Sequence, residues 1–259
     1  MTLGRSILKY GRVYVDGYDL SGHTRSIGPL GCTFAEGNDD PLTADMIGTW
    51  LGQATITPGN LNSIFDNTAS TGMHALMSAP AVTRNLIYAQ GIQAVPAQGD
   101  PVFCGQFRQD DYMAGPGETP SALTIKFSPS ASGGSALNYS IPFGVLLHTN
   151  TASTTDNAAA GVDGGGETLY GGYMMYQITD STGSDADITA AIKVQDATSS
   201  GGAYSDLLSS GTIHCHAGTS GVVALAKTAH VQAFTRWQIA WGSATSITFV
   251  LAFVRNFTP

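Results

Sequence analysis

"SITFVLAFVRNF", residues 246–257, sets Ile247, Phe249, Leu251 and Phe253 at every second position. Successive Cβ atoms of a strand point to opposite faces, so this spacing gives one apolar face and predicts a β-strand. The same signature recurs upstream. "RSILKYGRVYVDG", "ATITPG", "VTRNLIYAQGIQAVP", "PVFCGQFRQDDYMAG", "SALTIKFSPS" and "ALNYSIPFGVLLH" each carry β-branched or aromatic residues between Gly, Pro, Asn and Asp breakers. Beyond residue 172, "YMMYQIT", "ITAAIKVQDA", "YSDLL", "GTIHCH", "GVVALA" and "HVQAFTRWQIAW" precede the opening stretch. Strands at intervals of about 8 to 15 residues with turns between them predict a β-sandwich. The fold class expected is therefore mainly β.

Two segments read as helical. In "DDPLTADMIGTWLG", Asp40 stands at the N-cap and Pro41 at the first helical position, with Leu42, Met46, Ile47, Trp50 and Leu51 on one face. The second, "TGMHALMSAP", stops at Pro80. Residues 149–172, "TNTASTTDNAAAGVDGGGETLYGG", offer few side chains for packing and read as a linker or long loop. This predicts a first β domain over 1–150, a linker over 151–172 and a second β-sandwich domain over 173–259.

Composition narrows the function. Charged residues make up 12% of the chain, about half the usual share, so neighbouring subunits are expected to cover much of the surface. The net charge is −8, with no basic cluster to neutralise phosphates, which argues against specific nucleic-acid binding. An acidic wall would instead let DNA slide past without sticking. No apolar run approaches the roughly 20 residues of a membrane span, and the first residues lack a signal-peptide core, so synthesis in the cytoplasm is expected. Cys32, Cys104 and Cys215, odd in number and widely spaced, outline no disulfide framework and read as reduced, mostly buried thiols.

Candidate chemistry is sparse. In "HCH", His214 and His216 share a strand face while Cys215 points away, so the three do not chelate one metal. There is no GxSxG elbow, P-loop or GxGxxG motif. Asp39 with Asp40, Asp110 with Asp111, and Asp185 with Asp187 read as turn carboxylates. The expectation is a non-enzymatic protein with no cofactor and no metal.

In "RVYVDGYDLSGHTRSIGPL", residues 12–30, Asp16-Gly17 and Ser21-Gly22 supply turn positions, and the segment reads as a hairpin corner. "YVDGYDLSGHTRSIGPL" resembles the N-terminal strand–turn–strand of the major tail (tail tube) proteins of long-tailed bacteriophages. "NSIFDNTASTGMHALM", "VPAQGDPVFCGQF" and "FTRWQIAWGSATSITFVLAFVR" resemble further segments of that family.

The resemblance implies a tail-tube-like β-barrel or sandwich with one short helix, followed by an added β-sandwich. It further implies stacked, hexameric rings enclosing a conduit for viral DNA, which passes without specific binding. The partners implied are copies of the chain and other phage tail proteins, with location in the virion and no membrane. On this reading Tyr14, Tyr18, Arg25, Pro41, Met46 and Trp50 are candidate subunit contacts, and Asp39, Asp40, Asp110 and Asp111 are candidate lumen charges. A capsid decoration protein or other virion component is the alternative. A carbohydrate-binding module or adhesin is a further one, suggested by Tyr170, Tyr173, Tyr176, Tyr204, Trp237 and Trp241. Alternation in "RWQIAW" puts Trp237 and Trp241 beside Ile239 on a face that reads as core.

Overall fold

The computed structural model describes residues 8–39, 48–92, 94–115, 117, 121–129, 142–156, 160–184 and 187–257. In chain order the first strands are β1 (Gly11–Val15), β2 (Tyr18–Asp19), β3 (Thr24–Ile27), β4 (Leu30–Asp39), β5 (Gly48–Pro58) and β6 (Leu61–Ile64). Helix α1 (Met73–Met77) precedes β7 (Thr83–Gln90), β8 (Pro101–Gly115), β9 (Ala122–Pro129) and β10 (Phe143–Ser153). There follow β11 (Val162–Asp163), β12 (Gly172–Gly183), β13 (Thr189–Ala197), β14 (Ser205–Ser209) and β15 (Ile213–His214). The last are β16 (Thr219–Ala224), β17 (Phe234–Trp241) and β18 (Ala244–Arg255). The protein is mainly β, in the β-sandwich class and without a closed barrel.

One large sheet runs β16-β12-β18-β10-β8-β7-β1-β2, with β9, β6 and β3 branching from β8. Its two ends curl toward each other, so that β2 lies against β12 and β16 against β7. Both faces of this sheet are buried, which explains the sequence of β18. Ile247, Phe249, Leu251 and Phe253 face a five-stranded sheet, packing with Ile192, Val194, Trp237 and Ile239. Val250, Ala252 and Val254 face the inside of the curl, beside Tyr14, Ile87, Cys104, Tyr173 and Met175. Full burial of a Phe contributes roughly 1.5–3 kcal/mol, so Phe249 and Phe253 are principal anchors of the sandwich. A third core lies on the other outer face, where Val13, Val15, Phe103 and Phe107 meet Leu61, Leu123, Ile125, Met73 and Met77.

Strands from before residue 150 and after residue 172 thus share one sheet and one inner core. β10 pairs with β8 on one side and β18 on the other. The segment expected as a linker carries the end of β10, then β11, then an isolated bridge between Thr168 and Val231. Backbone groups supply its order where side chains are few: Gly164 N–H donates to the Ala233 carbonyl at 2.8 Å and Gly171 N–H to Ala229 at 2.9 Å. Arg255, 8% exposed, adds guanidinium bonds to the carbonyls of Gly166, Gln232 and Ala233.

The helix expected from Pro41 is only partly testable, because residues 40–47 lie outside the described residues. Its second half is a strand: Trp50 and Leu51 belong to β5, with Trp50 opposite Gly37 and Leu51 opposite Glu36. The apolar spacing satisfied a helix, but pairing with 30–39 decides the conformation. The short helix at 73–77 does form within "TGMHALMSAP", burying Met73 and Met77.

Candidate assembly interface

The corner at 16–22 is built as its sequence requires. Asp16 (φ 49°) and Gly17 (φ 82°) both take positive φ between Val15 and its partner Tyr18, the signature of a type I′ hairpin turn. Asp16 is anchored as well as strained, since its carboxylate accepts the Asn85 N–H at 2.8 Å and pairs with Arg84 at 3.1 Å. The Asp19 carboxylate then caps Ser21, accepting its N–H at 3.0 Å and its hydroxyl.

This turn closes the curl. Gln177 of β12, fully buried, accepts the Gly17 N–H at 2.9 Å and donates to the carbonyls of Tyr14 (3.2 Å) and Asn85 (3.0 Å). The Asn85 amide also donates to the Ser220 hydroxyl of β16 at 2.7 Å. Gly17 packs so close to Gly218 that a Cβ there would meet its Cα at 2.7 Å. Side chains and one turn therefore join the edges of the curl, where no strand ladder does among the described residues.

β4 and β5 form a separate two-stranded sheet. Register runs from Leu30 opposite Pro58 to Asp39 opposite Gly48, with an irregularity between Phe34 and Glu36 that kinks the ribbon. Its base is tied to the molecule by Leu30 and Ile56, which pack against the third core. Farther out, Thr33, Phe34, Ala35 and Glu36 are exposed, as are Ala54 and Thr55 opposite them, and Phe34 keeps 41% of its surface open. A two-stranded ribbon with an open aromatic side chain and unpaired backbone edges is marginal alone and suited to pairing with another surface.

The sequence-predicted contacts divide. Tyr14 is 4% exposed and its ring lies in the inner core, so it is spent within the chain; burial drives its phenol far above the usual range. Tyr18 is half-buried on the third core, its hydroxyl over Gly218. Arg25 is exposed on β3. Trp50 lies on β5, in the ribbon, while Pro41 and Met46 fall outside the described residues. Phe34, open on β4, is a further candidate that sequence reasoning missed, because Gly and Ala interrupt the alternation of "LGCTFAEGND".

Of the candidate lumen charges, Asp40 lies outside the described residues and Asp39 ends β4. Asp110 and Asp111 lie on β8, not in a turn, and each meets a cation: Asp110 pairs with Arg108 at 2.7 Å and Asp111 with Lys126 at 3.1 Å. Their charge is locally balanced.

The three cysteines are free thiols, Cys32 half-buried and the others buried; burial pushes Cys104 up to about 12 and Cys215 up to about 11. His214 binds Asp187 at 2.5 Å and His216 its neighbour's carbonyl at 3.0 Å, around a cleft of about 230 Å³. Among the described residues no three metal-ligating side chains converge. No helix among them is long and apolar enough to cross a membrane. Tyr173, Tyr176 and Trp237 are core residues, so they offer no exposed aromatic platform. Tyr204 is covered by the Arg236 guanidinium, 4.0 Å from its ring centroid.

No protein-family model matches the chain. No curated protein matches it. Among solved structures it is similar to SPP1 Dit (gp 19.1), described as a paradigm of the hub adsorption apparatus in phages infecting Gram-positive bacteria, at 11% identity over 94% of this chain and 98% of that one. The TM-score is 0.31, too little shared geometry for function to pass from one chain to the other.

Proposed function

We propose that this chain is a structural subunit of a bacteriophage virion, specifically a tail tube protein whose copies assemble into stacked, hexameric rings around a conduit for DNA. The β4–β5 ribbon carries this reading. Its base packs against the core through Leu30 and Ile56, residues 33–36 and 54–55 are exposed, and among the described residues its two strands pair with each other alone. Such an arm reaches a neighbouring copy without disturbing the fold that bears it. The segments resembling tail tube proteins, the low share of charge and the net charge of −8 support the same reading. A wall without a basic cluster holds no phosphate and leaves DNA free to move. On this account the protein is no enzyme, needs no cofactor, and contacts other tail proteins at the ends of the stack.

Sedimentation of the full chain against a variant with residues 33–55 replaced by a short Gly-Ser turn tests the assignment. The full chain should sediment as a ring or larger species, and the variant as a folded monomer. Equal sedimentation of the two would remove the ribbon from the assembly.

A further inference from the structure

A second cleft, of about 540 Å³, opens where three segments meet: Glu167 to Tyr170, His230 and Phe257. Its volume falls within the few hundred to about 1,000 Å³ of small-molecule sites. The walls are held in place by backbone bonds. Thr168 and Val231 exchange N–H···O=C bonds at 2.9 and 2.8 Å, Asn256 N–H donates to the Gly171 carbonyl at 3.1 Å, and the Asn256 amide donates to the Tyr170 carbonyl at 2.8 Å. The site is therefore formed before anything enters it.

Its lining has two characters. Leu169 and Phe257 keep 62% and 63% of their surface open, unusual for side chains of their size, and Tyr170 lies beside them half-buried. At the rim, Glu167 and His230 form an exposed pair at 3.0 Å, which fixes both groups while leaving outward-facing capacity to accept and donate. Thr168, which lines the cleft and is 8% exposed, holds a buried hydroxyl oxygen with no hydrogen-bond partner among the described residues.

We propose that this cleft is a saccharide-binding site. A pyranose has an apolar C–H face, which suits Tyr170, Phe257 and Leu169, and a rim of hydroxyls, which suits a carboxylate–imidazole pair. Other ligand classes fit less well. No Lys or Arg lines the cleft, so a phosphate would find no fixed cation there and would face the Glu167 carboxylate beside His230. A hydrocarbon chain would strand the Glu167–His230 pair against apolar groups, and that desolvation is unfavourable. The inference stands apart from the tube assignment, since binding of a sugar by the soluble chain needs no ring.

Saturation-transfer NMR of the full chain with methyl glycosides of glucose, galactose and N-acetylglucosamine provides the test. At least one should bind with millimolar affinity, and Glu167→Gln and Tyr170→Ala should each weaken it about tenfold or more. Glu36→Gln, on the ribbon, should leave binding unchanged. No transfer to any of the three sugars overturns the proposal, as does transfer that both cleft variants leave intact. A change of oligomeric state in Phe257→Ser would equally overturn it, by assigning the patch to contact between copies. Should Tyr170→Ala fail to fold, Glu167→Gln, whose side chain is exposed, decides alone.

Discussion

At the scale of single residues, two buried polar groups make opposite kinds of statement. Gln177 is a neutral amide with three backbone partners, and its removal leaves the Gly17 N–H and the Tyr14 carbonyl short of a partner. Gln177→Leu should therefore cost about 2–4 kcal/mol in urea denaturation, and a loss below about 0.5 kcal/mol would mean the curl does not depend on it. His148 is the contrary case. It stacks on Phe249 at 3.8 Å, meets Trp237 edge-on, and donates from Nδ1 to the Phe249 carbonyl at 3.0 Å. Burial pulls it down from 6.5 to about 4. The unfolded chain then takes up a proton first, so stability is full above pH 6.5, falls between pH 6.5 and about 4, and levels off below. The loss over that window should approach about 3 kcal/mol, and His148→Gln, which keeps a donor but does not titrate, should flatten it. An unchanged difference between the two proteins across that range would show His148 to be as easily protonated folded as unfolded.

At the scale of elements, the edges of the curl are its weakest line, because among the described residues the turn before β2 meets β12, and β7 meets β16, through side chains and no ladder. Amides of β16 that do not bond to β12 should exchange faster than those of β18, which is paired on both sides. Gly218→Ala should speed that exchange further, since Gly218 has φ +88° and a Cβ would strike the Tyr18 hydroxyl at 2.7 Å. Equal protection of β16 and β18 would contradict this. The same contrast explains what was legible in the sequence. β18 announced itself through the spacing of Ile247, Phe249, Leu251 and Phe253, and the first turn through Asp16-Gly17, because both are local facts. The ribbon did not, because Met46, Trp50 and Leu51 are spaced as well for a helix as for anything else, and its strands are defined by partners such as Gly37 and Glu36. Gln177 gave no signal either; its partners Tyr14 and Asn85 lie 163 and 92 positions away. The Glu167–His230 cleft was hidden for the same reason, with 63 positions between its two polar groups.

At the scale of the whole molecule, the inner core draws on β1, β7, β8 and β10 from one half and β12, β16 and β18 from the other. Truncation after residue 159 would expose Tyr14, Ile87, Val102 and Leu146 together, and the remaining piece should lose its near-ultraviolet dichroism and become protease-sensitive. Cooperative unfolding of that piece would restore the two-domain division expected from the linker's composition. The central claim, that the chain is a self-assembling virion subunit, is met most directly by negative-stain electron microscopy of the purified full-length protein. Rings with six-fold symmetry, or tubes of uniform diameter built from them, are the predicted result. A field of monomers alone, at concentrations where the protein remains folded and soluble, would contradict it.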